Sequence, residues 1–282
     1  MTKSIAETPS VGSAETSLRE RLDEVRTRIR DAARRAGRDP REVALIAVTK
    51  HASIDLIREA IGLGQVDFGE NRVQQLVQRA AQIDEHFSRR RQLPEAAGDA
   101  SHPTSVRWHM IGHLQRNKVR KAVELCRLIH GVDSLRVAEE IQAAAARRET
   151  PVEVLVQVNV AGEQSKSGVA PAAARHLVDQ IETMINVRAR GLMCMAPLGP
   201  DGEATPDLAR RTFDRCRELF EDIKTARAGG DRFDLLSMGM SGDYEIAIEC
   251  GANLVRVGSA IFGDGPADGD EGDLEGEETD EN

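Results

Sequence analysis

The stretch VALIAVTKHASIDLIREAIG, residues 43–62, contains the unit from which the fold is built. Its first part, VALIAV, is a short apolar run rich in branched side chains, which is typical of a buried strand. Its second part, IDLIREAIG, brings apolar residues back at helical spacing between charged ones. The stretch therefore predicts one strand followed by one helix, with Thr49 and Lys50 at the end of the strand.

The same unit recurs along most of the chain. Strands that alternate with helices predict a parallel sheet. Eight such units predict an α/β protein with a single (β/α)8 TIM barrel, which typically takes ~250 residues. A doubly wound sheet, usually of about six strands, is the alternative. The predicted strands are residues 43–48, 66–69, 108–111, 128–132, 152–158, 187–193, 235–238 and 254–257, and the predicted helices are residues 54–62, 72–83, 135–148, 172–185, 208–226 and 244–250.

The segments outside the repeats define the domain. Residues 1–16 are polar and aperiodic, which predicts a disordered leader. Residues 17–36 form an amphipathic helix ahead of the barrel, and the barrel domain spans residues 17–263 with no C-terminal β domain. Residues 87–105, rich in Arg, Pro and Ala, are predicted to be a surface insertion. Residues 264–282 hold ten acidic residues and no Lys or Arg, which predicts a disordered acidic tail.

Composition limits the classes of partner. The formal net charge of −9 comes from the acidic tail, so the remainder of the chain is close to neutral. An aromatic content of only 3% argues against a surface that stacks nucleic-acid bases. The four cysteines lie far apart without a C-x-x-C pair, which suits reduced thiols in the cytosol. Because no run approaches ~18 apolar residues and no signal peptide is visible, we expect a cytoplasmic protein without membrane or nucleic-acid partners.

Lys50 and two stretches near the other end of the chain are candidates for a site. In a TIM barrel, active sites lie at the carboxyl ends of the strands, and loops after strands 7 and 8 often hold phosphate. Lys50 ends the first strand, where burial would favour the uncharged amine that forms a Schiff base. SMGMSGD (237–243) and RVGSAIFG (256–263) lie at strands 7 and 8 and offer small residues and N–H groups to a phosphate. A lysine together with a phosphate cradle suggests pyridoxal 5′-phosphate (PLP).

Within this cradle, Ser241 is expected to cap the following helix and, with Gly242, to contact the phosphate. Gly258 and Ser259 offer N–H and hydroxyl donors on a second side. Asn71, in GENRVQQL after strand 2, is placed near the mouth of the barrel. An ordinary capped turn and a solvated lysine would also account for these residues taken one at a time.

Arg256 is the most diagnostic charge, because it stands inside an apolar strand where an unpaired charge is costly. Its partner is either a pyridine nitrogen or an inward carboxylate, and the sequence leaves both open. Arginine does not give up its proton, so it would keep a pyridine nitrogen unprotonated and the ring a weak electron sink. That setting suits a PLP holder better than a decarboxylase.

His109 and His113 are the one pair that suggests a metal. They lie four residues apart, but the spacing bridges a strand end and a glycine loop, and the sequence offers no third ligand. We expect no metal site.

Eight stretches of this chain resemble the PLP homeostasis protein family, the YggS/PROSC-like PLP-binding proteins: AVTKHAS, DFGENRVQQL, WHMIGHLQRNK, IHGVDS, LVQVNVAGEQSKSG, RGLMCMAPLG, LSMGMSGDYEIAI and VRVGSAIFG. They occur in order between residues 43 and 263. The family has a barrel like the N-terminal domain of alanine racemase. The resemblance implies a covalent imine between PLP and Lys50, a pyridine nitrogen facing Arg256, a phosphate near Ser241, Gly242, Gly258 and Ser259, and Asn71 near the cofactor.

The chain departs from the family pattern at a few places. Gln75 stands where the family usually has a glutamate after GENxVQ, and the leader, the 87–105 insertion and the acidic tail are additions. None of them belongs to the predicted cradle. They bear on partners and regulation rather than on PLP binding.

The resemblance implies a protein that binds PLP reversibly and buffers or carries it, with PLP-requiring apoenzymes as candidate recipients. The alternative is a racemase-like PLP enzyme, but barrel-type racemases take a second base, a tyrosine, from a separate C-terminal domain. Tyr244 is the single tyrosine here, at the start of the helix after strand 7. A class I aldolase is a third reading, although it would leave Arg256 without a role. We expect a monomer without catalytic residues.

Overall fold

Eight parallel strands close into a barrel in the order in which they occur along the chain. The computed structural model describes residues 16–92, 103–163, 167–197, 199 and 205–263. The predicted single (β/α)8 barrel is confirmed, and each of the eight predicted runs overlaps one strand. The strands are β1 (Ala44–Val48), β2 (Asp67–Glu70), β3 (Arg107–Met110), β4 (Cys126–Val132), β5 (Val152–Gln157), β6 (Val187–Met193), β7 (Leu235–Ser237) and β8 (Leu254–Val257).

Helices follow the strands and surround the barrel. The two short helices α4 and α9 have no counterpart among the sequence predictions. Within the described ranges, no helix is both long enough and apolar enough to cross a membrane. The helices are α1 (Leu18–Arg35), α2 (Ile54–Gly62), α3 (Val73–Arg91), α4 (Val119–Leu125), α5 (Leu135–Ala144), α6 (Pro171–Glu182), α7 (Pro206–Thr225), α8 (Tyr244–Glu249) and α9 (Ser259–Phe262).

The N-terminal helix α1 begins with a capping box. The Ser17 hydroxyl accepts the N–H of Glu20, whose carboxylate accepts the N–H of Ser17 in return. The apolar stripe of α1 is buried against α8 and α9. Ion pairs of Arg28 and Arg35 with Glu245, at 2.5 and 3.1 Å, join α1 to α8. Helix α1 therefore packs against the outer helices α8 and α9 of the barrel.

Helix α3 is longer than the sequence suggests. Its buried residues recur at alternating steps of three and four as far as Phe87, which is 5% exposed. The predicted insertion at 87–105 is therefore wrong at its start, because the apolar period of α3 continues through Phe87. Residues 93–102 of that insertion, residues 1–15 of the predicted leader and the predicted tail, 264–282, lie outside the described residues.

The interior of the barrel changes from apolar to polar toward the carboxyl ends of its strands. Alternate residues of a strand point to the same side. Ile46, Leu128, Leu155, Met193 and Leu254 form an apolar cluster of their own, separate from the large core. Two residues farther along three of these strands, the buried side chains are those of His130, Gln157 and Arg256.

Candidate functional site

One cavity of about 950 Å³ opens at the carboxyl ends of the strands. The loops after β1, β2, β7 and β8 meet there, as expected for a parallel barrel. All seven predicted site residues line this cavity, so the structure brings together groups that lie up to 209 positions apart in the sequence. Their role in binding a cofactor remains a prediction. They are Lys50, Asn71, Ser241, Gly242, Arg256, Gly258 and Ser259.

Lys50 lies two residues beyond the end of β1, and its side chain is exposed at the cavity. The expected burial of Lys50 is therefore wrong: the strand ends at Val48, and the turn carries the lysine out of the apolar interior. The guanidinium of Arg79 donates to the carbonyl oxygen of Ala52 at 3.1 Å and to that of Lys50 at 3.5 Å. The backbone that carries the amine is thus tied to helix α3.

Arg79 is itself held by Glu70, which is fully buried at the end of β2. The Glu70 carboxylate accepts hydrogen bonds from Arg79 and from the hydroxyl of Thr49. Burial raises the pKa of Glu70, while Arg79 and Thr49 act in the opposite direction. This group, Thr49, Glu70 and Arg79, connects β1, β2 and α3 directly behind Lys50.

Ser241 does not cap α8, so the predicted N-cap is wrong. Asp243 occupies the N-cap position of that helix, and its carboxylate accepts the N–H of Met240 at 2.6 Å. The Ser241 hydroxyl oxygen instead accepts the N–H groups of Gly258 at 3.1 Å and Ala260 at 3.4 Å. Ser241 thereby joins the β7 loop to the start of α9, and its hydroxyl proton is left for an acceptor in the cavity.

Arg256 is only 3% exposed yet lines the cavity. Its guanidinium donates to the hydroxyl oxygen of Ser237 at 2.6 Å and to the carbonyl oxygen of Cys194 at 3.0 Å. In the part of the chain that the structure describes, no carboxylate forms an ion pair with it, so the alternative of an inward carboxylate partner is wrong. Burial lowers the pKa of Arg256, and the nearby Cys194 and Asp243 act in the opposite direction.

The sequence analysis missed the polar groups behind Arg256. His130 is fully buried in β4, and its Nδ1 lies 3.0 Å from the hydroxyl oxygen of Ser237. On the other side of His130, Nε2 lies 3.1 Å from Nδ1 of His109. The available signal was a polar residue in an apolar strand, the same signal that singled out Arg256.

The two histidines considered for a metal point in different directions. His109 turns into the barrel toward Asp67, whereas Nδ1 of His113 lies 3.3 Å from the Asp133 carboxylate. Across the described residues, no three His, Cys, Asp or Glu side chains are grouped so that they could hold a metal ion.

Tyr244 and Gln75 lie away from the cavity lining. Tyr244 is 1% exposed, and the guanidinium of Arg28 stands over its ring at 5.6 Å. Among the residues that the structure describes, neither the hydroxyl of Tyr244 nor the buried side-chain oxygen of Gln75 has a hydrogen-bond partner. The one tyrosine of the chain is thus turned toward α1 and not toward the predicted cofactor residues.

Comparison with known proteins agrees with this geometry. Residues 21–266 match the family described as "Alanine racemase, N-terminal domain". A "Pyridoxal phosphate homeostasis protein" of Pseudomonas aeruginosa is 37% identical over 248 residues, which cover 88% of this chain and 96% of the relative. The protein of the same name from Escherichia coli K12 is 35% identical over 242 residues, with 86% and 94% covered.

Solved structures show the same barrel. PipY of Synechococcus elongatus, solved without PLP, is 34% identical with a TM-score of 0.72 and covers 88% of this chain and 100% of PipY. PipY with PLP bound is 33% identical with a TM-score of 0.70, at the same coverage. Alanine racemase of Corynebacterium glutamicum, at 14% identity and a TM-score of 0.54 over 88% of this chain and 63% of the racemase, shares the fold. The chain therefore belongs to the pyridoxal phosphate homeostasis protein family, built on the alanine racemase N-terminal domain.

Proposed function

We propose that this protein binds PLP through a Schiff base at Lys50 and holds it reversibly. In this role it maintains intracellular PLP, and the amino-acid metabolism linked to it, as a carrier or buffer without robust catalysis. The names of the relatives and the PLP-bound structure of PipY support the choice of cofactor. The cavity residues support the mode of binding.

The observation that carries the proposal is the environment of Arg256. Among the described residues no carboxylate forms an ion pair with this buried guanidinium, which is a costly state, and its position on the cavity wall leaves its charge facing whatever occupies the cavity. The pyridine nitrogen of PLP is an acceptor that such a donor fits. Arg256 would leave that nitrogen unprotonated, because an arginine keeps its proton.

The remaining groups fit the other two ends of PLP. Bound PLP supplies an aldehyde and an aromatic ring that can withdraw electrons. Lys50 would hold the aldehyde as an imine, formed with release of one water, and addition of water would free the cofactor again. Ser241, Gly242 and Ser259 would supply hydroxyl and N–H donors for the phosphate, and Asn71 lies on the same wall. The N–H of Gly258 is already donated to Ser241, so Gly258 would lie against the phosphate without donating to it.

Two features favour a holder over an enzyme. An unprotonated pyridine ring withdraws electrons weakly, so a substrate carbanion gains little stabilisation. Tyr244 is buried against α1 and does not line the cavity, so it is not placed to act as a second base. The proposal also includes a cytoplasmic location, which fits the four buried free cysteines, a monomeric state and PLP-requiring apoenzymes as recipients.

The first test is an absorption spectrum of the purified protein with added PLP, before and after borohydride. We expect an imine band in the wild type that borohydride abolishes, with the cofactor then retained through denaturation. Lys50→Ala should show no reducible band. Lys121→Ala is the matched control, because Lys121 is exposed on α4, pairs with Glu124 at 3.2 Å and lies outside the cavity lining.

A second measurement separates holder from enzyme. The PLP-loaded protein is incubated with amino acids in D2O, and exchange at the α-carbon is followed. A holder exchanges no faster than free PLP at the same concentration. Absence of an imine band in the wild type would remove the Schiff base from the proposal, and rapid exchange that Lys50→Ala abolishes would make the protein an enzyme.

A further inference from the structure

Five buried or partly buried polar side chains form one continuous hydrogen-bonded line across the barrel interior. Nε2 of His109 lies 3.1 Å from the carboxylate of Asp67, and Nδ1 of His109 lies 3.1 Å from Nε2 of His130. Nδ1 of His130 lies 3.0 Å from the hydroxyl of Ser237, which accepts an N–H of Arg256 at 2.6 Å. We call this line, Asp67–His109–His130–Ser237–Arg256, the polar chain.

The two ends of the polar chain have opposite and fixed roles. Arg256 can only donate hydrogen bonds, and an ionised carboxylate can only accept them. Burial raises the pKa of Asp67, but hydrogen bonds from Arg107 and His109 outweigh burial and lower it to about 2, so Asp67 is ionised at neutral pH. Arg107 holds that carboxylate with two contacts, at 2.6 and 2.5 Å, from the start of β3.

These ends determine where each proton lies when both imidazoles are neutral. Nε2 of His109 must donate to Asp67, which leaves Nδ1 of His109 to accept from Nε2 of His130. Nδ1 of His130 is then an acceptor, and the hydroxyl proton of Ser237 points to it. Every contact has one donor and one acceptor, and Ser237 presents a lone pair to Arg256.

The reverse direction requires a second positive charge. If Nδ1 of His130 donated to Ser237, its Nε2 would have to accept from an imidazolium at His109. That charge would lie on the buried His109, and Arg107 already pairs with both oxygens of Asp67, so the added charge would have no counter-ion of its own. Burial, followed by the nearby charges of His109 and Arg256, lowers the pKa of His130 well below its ordinary value, so that ring does not carry the charge either. The charged and titratable groups that face the chain are Asp67, Arg107, His109, Arg256, Asp243, Cys194 and Cys216.

We propose that His130 and Ser237 are positioning residues that hold Arg256 against the cavity by this one-directional chain. The inference deepens the proposed function, because it names what orients the group that faces the pyridine nitrogen. A carboxylate in place of Ser237 would neutralise Arg256, whereas a hydroxyl whose proton is committed to His130 fixes the guanidinium and leaves its charge intact. Ser237 and His130 need not touch PLP themselves.

The direction of the chain is tested on the full-length protein without PLP, by two-bond ¹⁵N–¹H NMR of the histidine rings. His130→Asn and His109→Gln assign the signals. We expect the Nε2–H form for both rings between pH 7 and pH 8. An Nδ1–H form at His130, or an imidazolium at either ring in that range, would overturn the proposal. This readout does not depend on PLP binding, so it stands apart from failure of the proposed function.

The effect on the site is tested by the Kd for PLP and the absorption maximum of bound PLP. Ser237→Ala removes the acceptor of Arg256, so we expect the Kd to rise about tenfold, with a shifted maximum. His130→Asn places an acceptor near the position of Nδ1 and should change the Kd by less than about threefold, whereas His130→Leu should behave like Ser237→Ala. The control Thr212→Val removes a buried hydroxyl of α7, bonded to the Leu208 carbonyl, and should leave both values unchanged.

Each result has a defined meaning. A Ser237→Ala protein that binds PLP with the wild-type Kd and absorption maximum would overturn the positioning role. Thermal unfolding of each variant without PLP shows whether that variant is folded. If Ser237→Ala does not fold, the Kd values of His130→Asn and His130→Leu test the positioning role instead, and equal values would overturn it. If wild type forms no imine with PLP, the proposed function fails, and the histidine NMR still decides the direction of the chain.

Discussion

The guanidinium of Arg256 lies 2.6 Å from the hydroxyl oxygen of Ser237, and within the described ranges its charge has no carboxylate partner. A buried arginine usually has an acid beside it, because the charge is costly to remove from water. Here a neutral hydroxyl and the Cys194 carbonyl take that place. Arg256 also lines the cavity, where a bound molecule would meet its charge.

This arrangement predicts that Arg256 serves the ligand more than the fold. We expect Arg256→Met, which replaces a buried unpaired charge with an apolar chain, to leave the free energy of unfolding without PLP within about 1 kcal/mol of wild type or above it. The Kd for PLP should rise at least about tenfold. Urea unfolding and a PLP titration measure the two quantities. A variant that loses several kcal/mol and keeps its affinity would show that Arg256 is structural.

Asp67 is predicted to stabilise the folded protein at neutral pH and to lose that contribution in acid. Its pKa is lowered from 3.8 to about 2, so its contribution is complete above pH 3.8 and is lost as the pH falls toward 2. We expect Asp67→Asn to lose about 2 kcal/mol at pH 7 and to differ little from wild type near pH 2. Urea unfolding at a series of pH values checks this, and a difference that does not depend on pH would contradict it.

His130 is predicted to destabilise the folded protein increasingly as the pH falls below neutral. The folded protein keeps His130 neutral, whereas the unfolded chain binds a proton there below about pH 6.5. The stability of wild type should therefore fall by about 1.4 kcal/mol per pH unit below pH 6.5 from this residue alone. His130→Asn should lack that part of the slope, and His176→Asn, on the exposed face of α6, should keep it. Equal slopes for all three proteins would contradict the assignment.

Arg79 is predicted to matter for both stability and PLP binding, although it does not line the cavity. Arg79→Met would leave Glu70 buried without its ion pair, so we expect the free energy of unfolding to fall by about 4 kcal/mol. It would also release the carbonyls of Lys50 and Ala52, so the Kd for PLP should rise. Unfolding and PLP titration measure the two effects.

The matched control for Arg79 is Arg120→Met, since Arg120 is 82% exposed and pairs with Glu124 within one helix. That change should alter stability by less than about 0.5 kcal/mol. Adding Glu70→Gln to Arg79→Met should recover part of the lost stability, because the buried charge is then removed. No recovery would mean that packing of the Arg79 chain, and not the charge of Glu70, explains the loss.

Much of the fold could be predicted from the sequence, because each strand is a short apolar run and each long helix carries an apolar stripe. Because all strands of a parallel barrel end on the same side, the sequence also predicts that Lys50, Ser241 and Arg256 lie at one end of the barrel. Helix α4 was not predicted, because it is short and follows a polar loop. The extension of α3 to Phe87 was missed, because the run of arginines obscured its apolar period.

The connections within the site could not be predicted, because they join residues distant in sequence. Ser241 looked like the cap of α8, since it precedes that helix, yet its oxygen accepts two N–H groups from the β8–α9 segment. The contact between His130 and Ser237 spans 107 positions. A histidine in one strand and a serine in another do not reveal their pairing until the register of the barrel is known.

The central claim, that Lys50 binds PLP, is tested most directly by locating the cofactor on the chain. The protein is saturated with PLP, reduced with borohydride, digested with trypsin and analysed by mass spectrometry. Because trypsin does not cut after a modified lysine, we predict one phosphopyridoxyl group on the peptide of residues 42–58, which contains Lys50. The same group on Lys118, which also lines the cavity, or on no peptide at all, would contradict the account.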